Sequence, residues 1–378
     1  MSWHTDAYPE LRPGPPWVMQ EMIAAQPVVA EEMLASPSPV AGAIADAVGE
    51  ALAAGRPVTV IGCGTSEHAA HAVAALMGGT VAHERRALVR ARPAMSAALD
   101  PTDGVCLAVS HDGGTRATAL AVAAAREAGA RTALITHDPS GSVAAGADHV
   151  LVTPRHDESW CHTLAYTSAM LAAATIAGRL GALAVPPAAA GNLLRSVTEL
   201  DAAPVAEALA GNRVVLCAGA GIDHITAREL ALKIAEGARM PTVALELETV
   251  LHGQLAGHDA GDALILVAID DRAQPERLSR RAAHVAKAAA AIGLPVAALL
   301  STSHAQALPA ELTPAGRLVL ELTSELDPTL ACLLAGAGAL QTLTLALAHA
   351  RGTNPDLIRR EEAPYRQAAQ VAEDAPDW

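Results

Sequence analysis

Residues 58–78 read VTVIGCGTSEHAAHAVAALMG, and residues 214–237 read VVLCAGAGIDHITARELALKIAEG. Each stretch opens with a short apolar run of the kind that forms a strand buried on both faces. Each then turns through glycines and continues as a helix. In the first, Thr65 or Ser66 is the expected cap. In the second, Asp223 is the expected N-cap and Gly237 the expected stop, so 224–236 reads as helix. A strand, a glycine turn and a helix, met twice, mark two α/β units in tandem. Ligands in such sheets bind at the carboxyl ends of the strands.

Residues outward from these stretches extend the same pattern. Residues 1–15 are polar and proline-rich and read as an extended arm, followed by helices over 17–34 and 38–54. After a connection through 80–100 come the strand VCLAVS (105–110), the turn HDGGT and the helix RATALAVAAAREAG (116–129). The strands TALITH (132–137) and HVLVTP (149–154) and a long apolar helix over 162–180 follow, and PPAAAGN (186–192) reads as a linker entering another helix. In the second half, TVALELE (242–248), ALILVAIDD (263–271), PVAALLST (295–302) and RLVLELT (317–323) read as strands, with helices near 274–292 and 328–350. The prediction is an α/β fold of two doubly wound parallel sheets, each with a flavodoxin-like arrangement. The units span 46–190 and 191–350, with an arm and first helix over 1–45 and a closing tail over 351–378.

The chain has 378 residues, too many for one ordinary core. A net charge of −14 argues against nucleic acid or an anionic membrane as partner. No signal peptide and no uninterrupted apolar run of bilayer length are evident, so a cytoplasmic location is expected. Cys63, Cys106, Cys161, Cys217 and Cys332 show no C-x-x-C spacing. They read as buried thiols in a reducing compartment. No cofactor and no metal are expected.

Glu229, Lys233 and Glu236 lie at i, i+4 and i+7, on one helix face. Such pairs also occur on solvated helices, where each is worth about 0.2–0.5 kcal/mol. A loop after TVALELE delivers His252. A carboxylate, an ammonium and an imidazole together can move protons on a small molecule. Three strand ends carry small or hydroxylated residues: GCGTSEH (62–68), SHDGGT (110–115) and AGAGID (218–223). Glycine permits close backbone approach, and helix amino termini favour anions. None of these turns matches G-x-G-x-x-G or the P-loop lysine pattern.

These residues resemble the tandem sugar isomerase (SIS) domain family. WVMQEMIAAQP (17–27) is similar to its first helix, and CGTS (63–66) to its first sugar-contacting turn. SHDGGT stands where the family carries the phosphate loop Ser-x-Ser-Gly-x-Thr. ELALKIAE (229–236) is similar to its Glu-Gly-Ala-Leu-Lys-x-x-Glu helix, and His252-Gly253 to its His-Gly-Pro loop. ALQTLTLALAHARGTNPDLIRR (339–360) resembles the closing helix and tail. The resemblance implies proton transfer between C1 and C2 by Glu236, ring opening assisted by His252 from a partner subunit, and Lys233 beside the base. It implies contacts to a sugar or sugar phosphate from Cys63, Gly64, Thr65, Ser66, Ser110, His111, Asp112, Thr115, Trp160, His162, Glu229 and Arg360, in a homodimer with a shared site.

Four departures qualify the resemblance. No glutaminase domain is expected before residue 17, and residue 2 is serine in place of a nucleophilic cysteine. Arg360 takes the place of a ring-opening lysine, and guanidinium does not readily form a Schiff base. Asp112 replaces the third residue of the phosphate loop. At about 4 Å, its charge repels a phosphate charge by roughly 4 kcal/mol at an effective dielectric near 20, which favours a ligand presenting hydroxyl or cationic groups there. DESWCHT (157–163) matches the family's helix start only loosely. The implied activity is isomerase, deaminase or deglycase on a sugar or amino-sugar derivative, and the alternative is a non-catalytic sugar-binding sensor.

Overall fold

The computed structural model describes residues 11–272, 274–323 and 325–373, and residues 1–10 of the expected arm, with Ser2, lie outside them. The first sheet is built from β1 (Val58–Gly62), β2 (Val89–Pro93), β3 (Val105–Val109), β4 (Arg131–Thr136) and β5 (His149–Val152). All four pairings are parallel, in the order β2-β1-β3-β4-β5. The second comprises β6 (Val215–Gly219), β7 (Thr242–Glu246), β8 (Ala263–Ala268), β9 (Val296–Ser301) and β10 (Arg317–Leu320). Its order, β10-β9-β8-β6-β7, is the same arrangement repeated. This is the flavodoxin-like order expected from the sequence. The central strands β1, β3, β6, β8 and β9 are buried along their whole length, which is why they read as unbroken apolar runs.

Three local expectations need correction. The connection through 80–100 contains β2 and a short helix, Ala94–Leu99. β2 is a half-exposed edge strand with Arg90 and Arg92 among its residues, so it shows no apolar run. PPAAAGN is not a linker. Pro187 opens the helix Pro187–Thr198, in the first-turn position proline tolerates. The helix placed at 224–236 runs Ile222–Lys233 and passes into a π-helical turn, Ile234–Ala238. Gly221 precedes it in place of an Asp223 cap, and Arg239, not Gly237, adopts the left-handed conformation after the turn. Asp223 is fully buried, and its carboxylate accepts the N–H of Ile269 at 3.1 Å and of Asp270 at 3.2 Å, tying the helix to the end of β8.

The helix Pro328–Arg351 is long and apolar enough to cross a membrane, although the sequence shows no uninterrupted apolar run. Its most apolar window is 83% buried inside the molecule. It packs against the helices Ile222–Lys233, Pro187–Thr198 and Ala203–Leu209. Alanine-rich surfaces let these helices approach closely, so the apolar length is consumed by the core between the two sheets.

Candidate active site

A 2-1-3-4-5 sheet changes winding direction between its first and third strands, leaving a crevice at their carboxyl ends. In the first unit, GCGTS and SHDGGT border it. Gly62 is obligatory, because a Cβ there would sit 2.3 Å from the Ser66 carbonyl oxygen. Gly64 follows with φ +56° and stands at the N-cap in place of Thr65 or Ser66, so Thr65 opens the helix Thr65–Thr80. Gly113 has φ +63°, and its Cβ would lie 2.5 Å from the Asp138 carbonyl oxygen. Ser110 is buried, 3.5 Å from the Thr115 hydroxyl. Thr65 and Ser66 line a cavity of about 20 Å³, the size of one water, with His111, His137 and His162. The Cys63 sulfur lies 3.7 Å from the Thr118 hydroxyl. Burial raises its thiol pKa, so it is no ready nucleophile.

The second unit supplies the charged string. Lys233 is fully buried; its ammonium donates to the Glu236 carboxylate and stands 3.7 Å from Glu229 Oε1. Glu229 is also fully buried, and its Oε2 accepts from His68 Nδ1 at 2.7 Å. His68 belongs to the helix Thr65–Thr80 of the first unit, so this bond joins the two units. Cys161 lies beside the backbone of Lys233, its sulfur 4.0 Å from the carbonyl oxygen. Burial works to depress the Lys233 ammonium, but Glu236, Cys161 and Glu229 outweigh it and hold its pKa above the usual value. Glu236 is the member that reaches solvent, its side chain 22% exposed. Burial raises its pKa and Lys233 opposes that rise. A carboxylate part-shielded from water and leaning on a permanent cation is suited to take up and return a proton.

Asp112 does not cap the helix that follows it. Its Oδ1 lies 3.6 Å from His156 Nε2 and 3.9 Å from His111 Nε2, and its Oδ2 lies 4.0 Å from His162 Nε2. His156 foremost lowers the Asp112 pKa, and Asp112 raises that of His156. The ionised form of Asp112 is therefore favoured by the imidazole beside it. His111 and His162 are pushed down to about 4, first by burial. His137 completes a cluster in which His111 is 5.6 Å from His137, 5.2 Å from His156 and 5.1 Å from His162, centroid to centroid.

Residues 52–177 match the SIS domain family. They form a SIS domain. The isomerizing glutamine–fructose-6-phosphate aminotransferase of Symbiobacterium thermophilum is 30% identical over 220 residues, 53% of this chain and 36% of that protein. The chain thus spans about a third of that relative's length. The C-terminal domain of glucosamine-fructose-6-phosphate aminotransferase from Francisella tularensis superposes with a TM-score of 0.72 at 16% identity, covering 92% of this chain and 99% of that one. The tagatose-6-phosphate ketose/aldose isomerase of Escherichia coli gives 0.71 at 17% identity, over 93% and 98%. The chain has the architecture of two tandem SIS domains, the second sheet repeating the strand order of the first.

Two of the expected residues meet each other. The Arg360 guanidinium lies over the Trp160 ring, 4.5 Å from its centroid. His252 stands apart, 69% exposed, its Nε2 2.9 Å from Glu248 Oε1. Among the described residues, none of its hydrogen bonds or ion pairs reaches Lys233 or Glu236 within one chain.

Several residues the sequence reading passed over position the site. Asp356, fully buried in the tail, accepts the N–H of Val18 at 2.9 Å and Met19 at 2.7 Å and the Ser159 hydroxyl at 3.1 Å. It latches the tail to the first helix, Val18–Ala35, and to the loop carrying Trp160. Asp157 accepts from Thr163 at 2.7 Å and Ala165 at 2.9 Å, capping the helix Leu164–Leu180. Gln26 joins Gln341 and takes the Thr167 hydroxyl at 2.8 Å, and Gln341 donates to the Thr163 carbonyl at 3.1 Å. These account for the Gln and Asp of the family-like first helix and tail, whose chemistry is structural. His68, His137 and His156 carried no local signal, since nothing in their spacing ties them to the site.

Proposed function

We propose that this SIS protein is an isomerase, deaminase or deglycase acting on a sugar or amino-sugar derivative by proton transfer between C1 and C2. Glu236 is the base, Lys233 holds its geometry and charge, and the turns at 63–66 and 110–115 take the rest of the ligand. The observation that carries this reading is the string Glu229–Lys233–Glu236, in which a fully buried ammonium supports a partly exposed carboxylate. Uncompensated, such a buried ammonium costs several kcal/mol. A solvated pair would serve stability equally well without that burden. His252 acts from a partner subunit in a homodimer, in keeping with its exposed loop position. A cytoplasmic location without membrane or nucleic-acid partners belongs to the same reading. The test follows solvent deuterium entering C1 or C2 across a panel of hexoses, amino sugars and their phosphates. Exchange should appear with one of them and vanish in Glu236→Gln while binding persists. Undiminished exchange in that variant would remove Glu236 from the role.

A second reading, a sugar-binding sensor without catalysis, rests on Arg360. It stands where the family-like tail carries lysine, and its guanidinium is engaged with Trp160. Binding of a sugar with no exchange, in wild type as in Glu236→Gln, would favour the sensor.

A further inference from the structure

Histidines lie in the segments that follow three successive strands of the first sheet. His111 follows β3, His137 follows β4, and His156 with His162 follows β5. The parallel order β3-β4-β5 sets these ends side by side, and Asp112 enters among them. Its two carboxylate oxygens face three Nε2 atoms at 3.6, 3.9 and 4.0 Å. Each separation is too long for a hydrogen bond. Each is close to the spacing of neighbouring ligands around a tetrahedral ion, which is about 3.4 Å for metal–nitrogen bonds near 2.1 Å. His162 presents its Nε2 to Asp112, while its Nδ1 lies 3.9 Å from Asp157 Oδ2 on the side away from the cluster.

We propose that His111, Asp112 and His156 bind a divalent transition-metal ion of the zinc class, with His162 flanking it. Imidazole with a single carboxylate selects zinc, cobalt or nickel over magnesium or calcium, which prefer oxygen alone. Asp112 and His156 are exposed and reachable from solvent. Three protein ligands at a solvent-facing site leave a position open for water or a ligand oxygen, the pattern of a working rather than a closed structural site. One bond must give way. His111 Nε2 accepts the Asp157 N–H at 3.0 Å, and the ion replaces that donor. A hydrogen bond between neutral groups contributes little net, so its exchange for a coordinate bond to a dication favours the ion. The site also gives Asp112 a purpose. With a dication beside it, the turn after β3 is positive at the place where the aspartate alone would repel an anion.

The test needs no substrate. Tag-free, full-length protein stripped with a chelator is titrated with Zn²⁺ by calorimetry and with Co²⁺ by visible absorption. One equivalent should bind, with the intense visible bands of four- or five-coordinate cobalt. The double variant Asp112→Asn/His156→Ala should lose at least tenfold in affinity and lose those bands, with its far-ultraviolet circular dichroism unchanged. His258→Ala, in the second unit and paired there with Asp262, serves as the control and should bind as wild type. Absence of a saturable equivalent in wild type, or a loss under tenfold in the double variant, overturns the proposal. Should the double variant fail to fold, His156→Gln, at an exposed side chain, is read by the same criteria.

Discussion

Replacing Lys233 by methionine removes the ammonium between Glu229 and Glu236 and keeps the length of the stem. The nitrogen stands 3.7 Å from Glu229 and donates to Glu236, with no solvent exposure. At that separation one unit pair attracts by about 4–5 kcal/mol at an effective dielectric near 20. Removing one partner of a buried pair costs about 3–5 kcal/mol, because the other charge is left uncompensated. At about 2.1 cal/mol/K per residue, a chain of 378 residues melting as one unit should lose about 4–6 °C. The pH dependence has a definite sign. The folded pKa of Glu236 is already raised by burial against the pull of Lys233, and loss of the ammonium raises it further. A carboxyl with a raised folded pKa binds its proton more tightly when folded. Stability then falls as pH climbs from the ordinary carboxylate value toward the folded one. Calorimetric melts of Lys233→Met should therefore show a larger deficit at about pH 8 than at about pH 5, where protonation of Glu236 is favoured. The double variant Glu236→Gln/Lys233→Met should recover part of the loss. A deficit below about 1 °C, or one equal at both pH values, would refute the electrostatic account of the string.

Other expectations follow from separate parts of the structure. Asp356→Ala leaves the Val18 and Met19 amides and the Ser159 hydroxyl without their acceptor, and should cost about 1–3 kcal/mol and speed amide exchange at the start of the first helix. Protected amides there in the variant would deny the latch. Asp223, beside Asp270 and Cys332, has its pKa raised to about 7 by burial. Its contribution to stability is thus lost as pH rises from about 4 to about 7, and Asp223→Asn should flatten that decline in a pH series of melts. Mixing Glu236→Gln with His252→Ala chains should restore deuterium exchange through hybrid sites if His252 crosses to a partner. Mixed dimers shown to form yet inactive would place His252 outside the site.

What the sequence reveals, and what it withholds, divides by the range of the interaction. The strand, glycine turn and helix at 58–78 are legible because burial, the close approach of Ser66 to Gly62, and helix periodicity all act within a few residues. The same holds for Glu229, Lys233 and Glu236, whose adjacency is a property of one helix and the turn that ends it. β2 escapes notice because an edge strand lacks the apolar run that marks its neighbours. Asp223 misleads because a carboxylate at a helix start looks the same whether it accepts its own helix's N–H groups or those of the residues that follow β8. The histidines lie beyond any local rule. His111, His137 and His156 are separated by 26 and 19 residues, and only the order β3-β4-β5 makes them neighbours. This is why Asp112 reads so differently at the two levels. Along the chain it is a negative charge in a loop that should be neutral. In the fold it faces three imidazoles. The sign of that turn, and with it the class of ligand the crevice accepts, is set by residues contributed from separate strand ends, so a substitution at His156 should alter ligand preference as much as one at Asp112 itself.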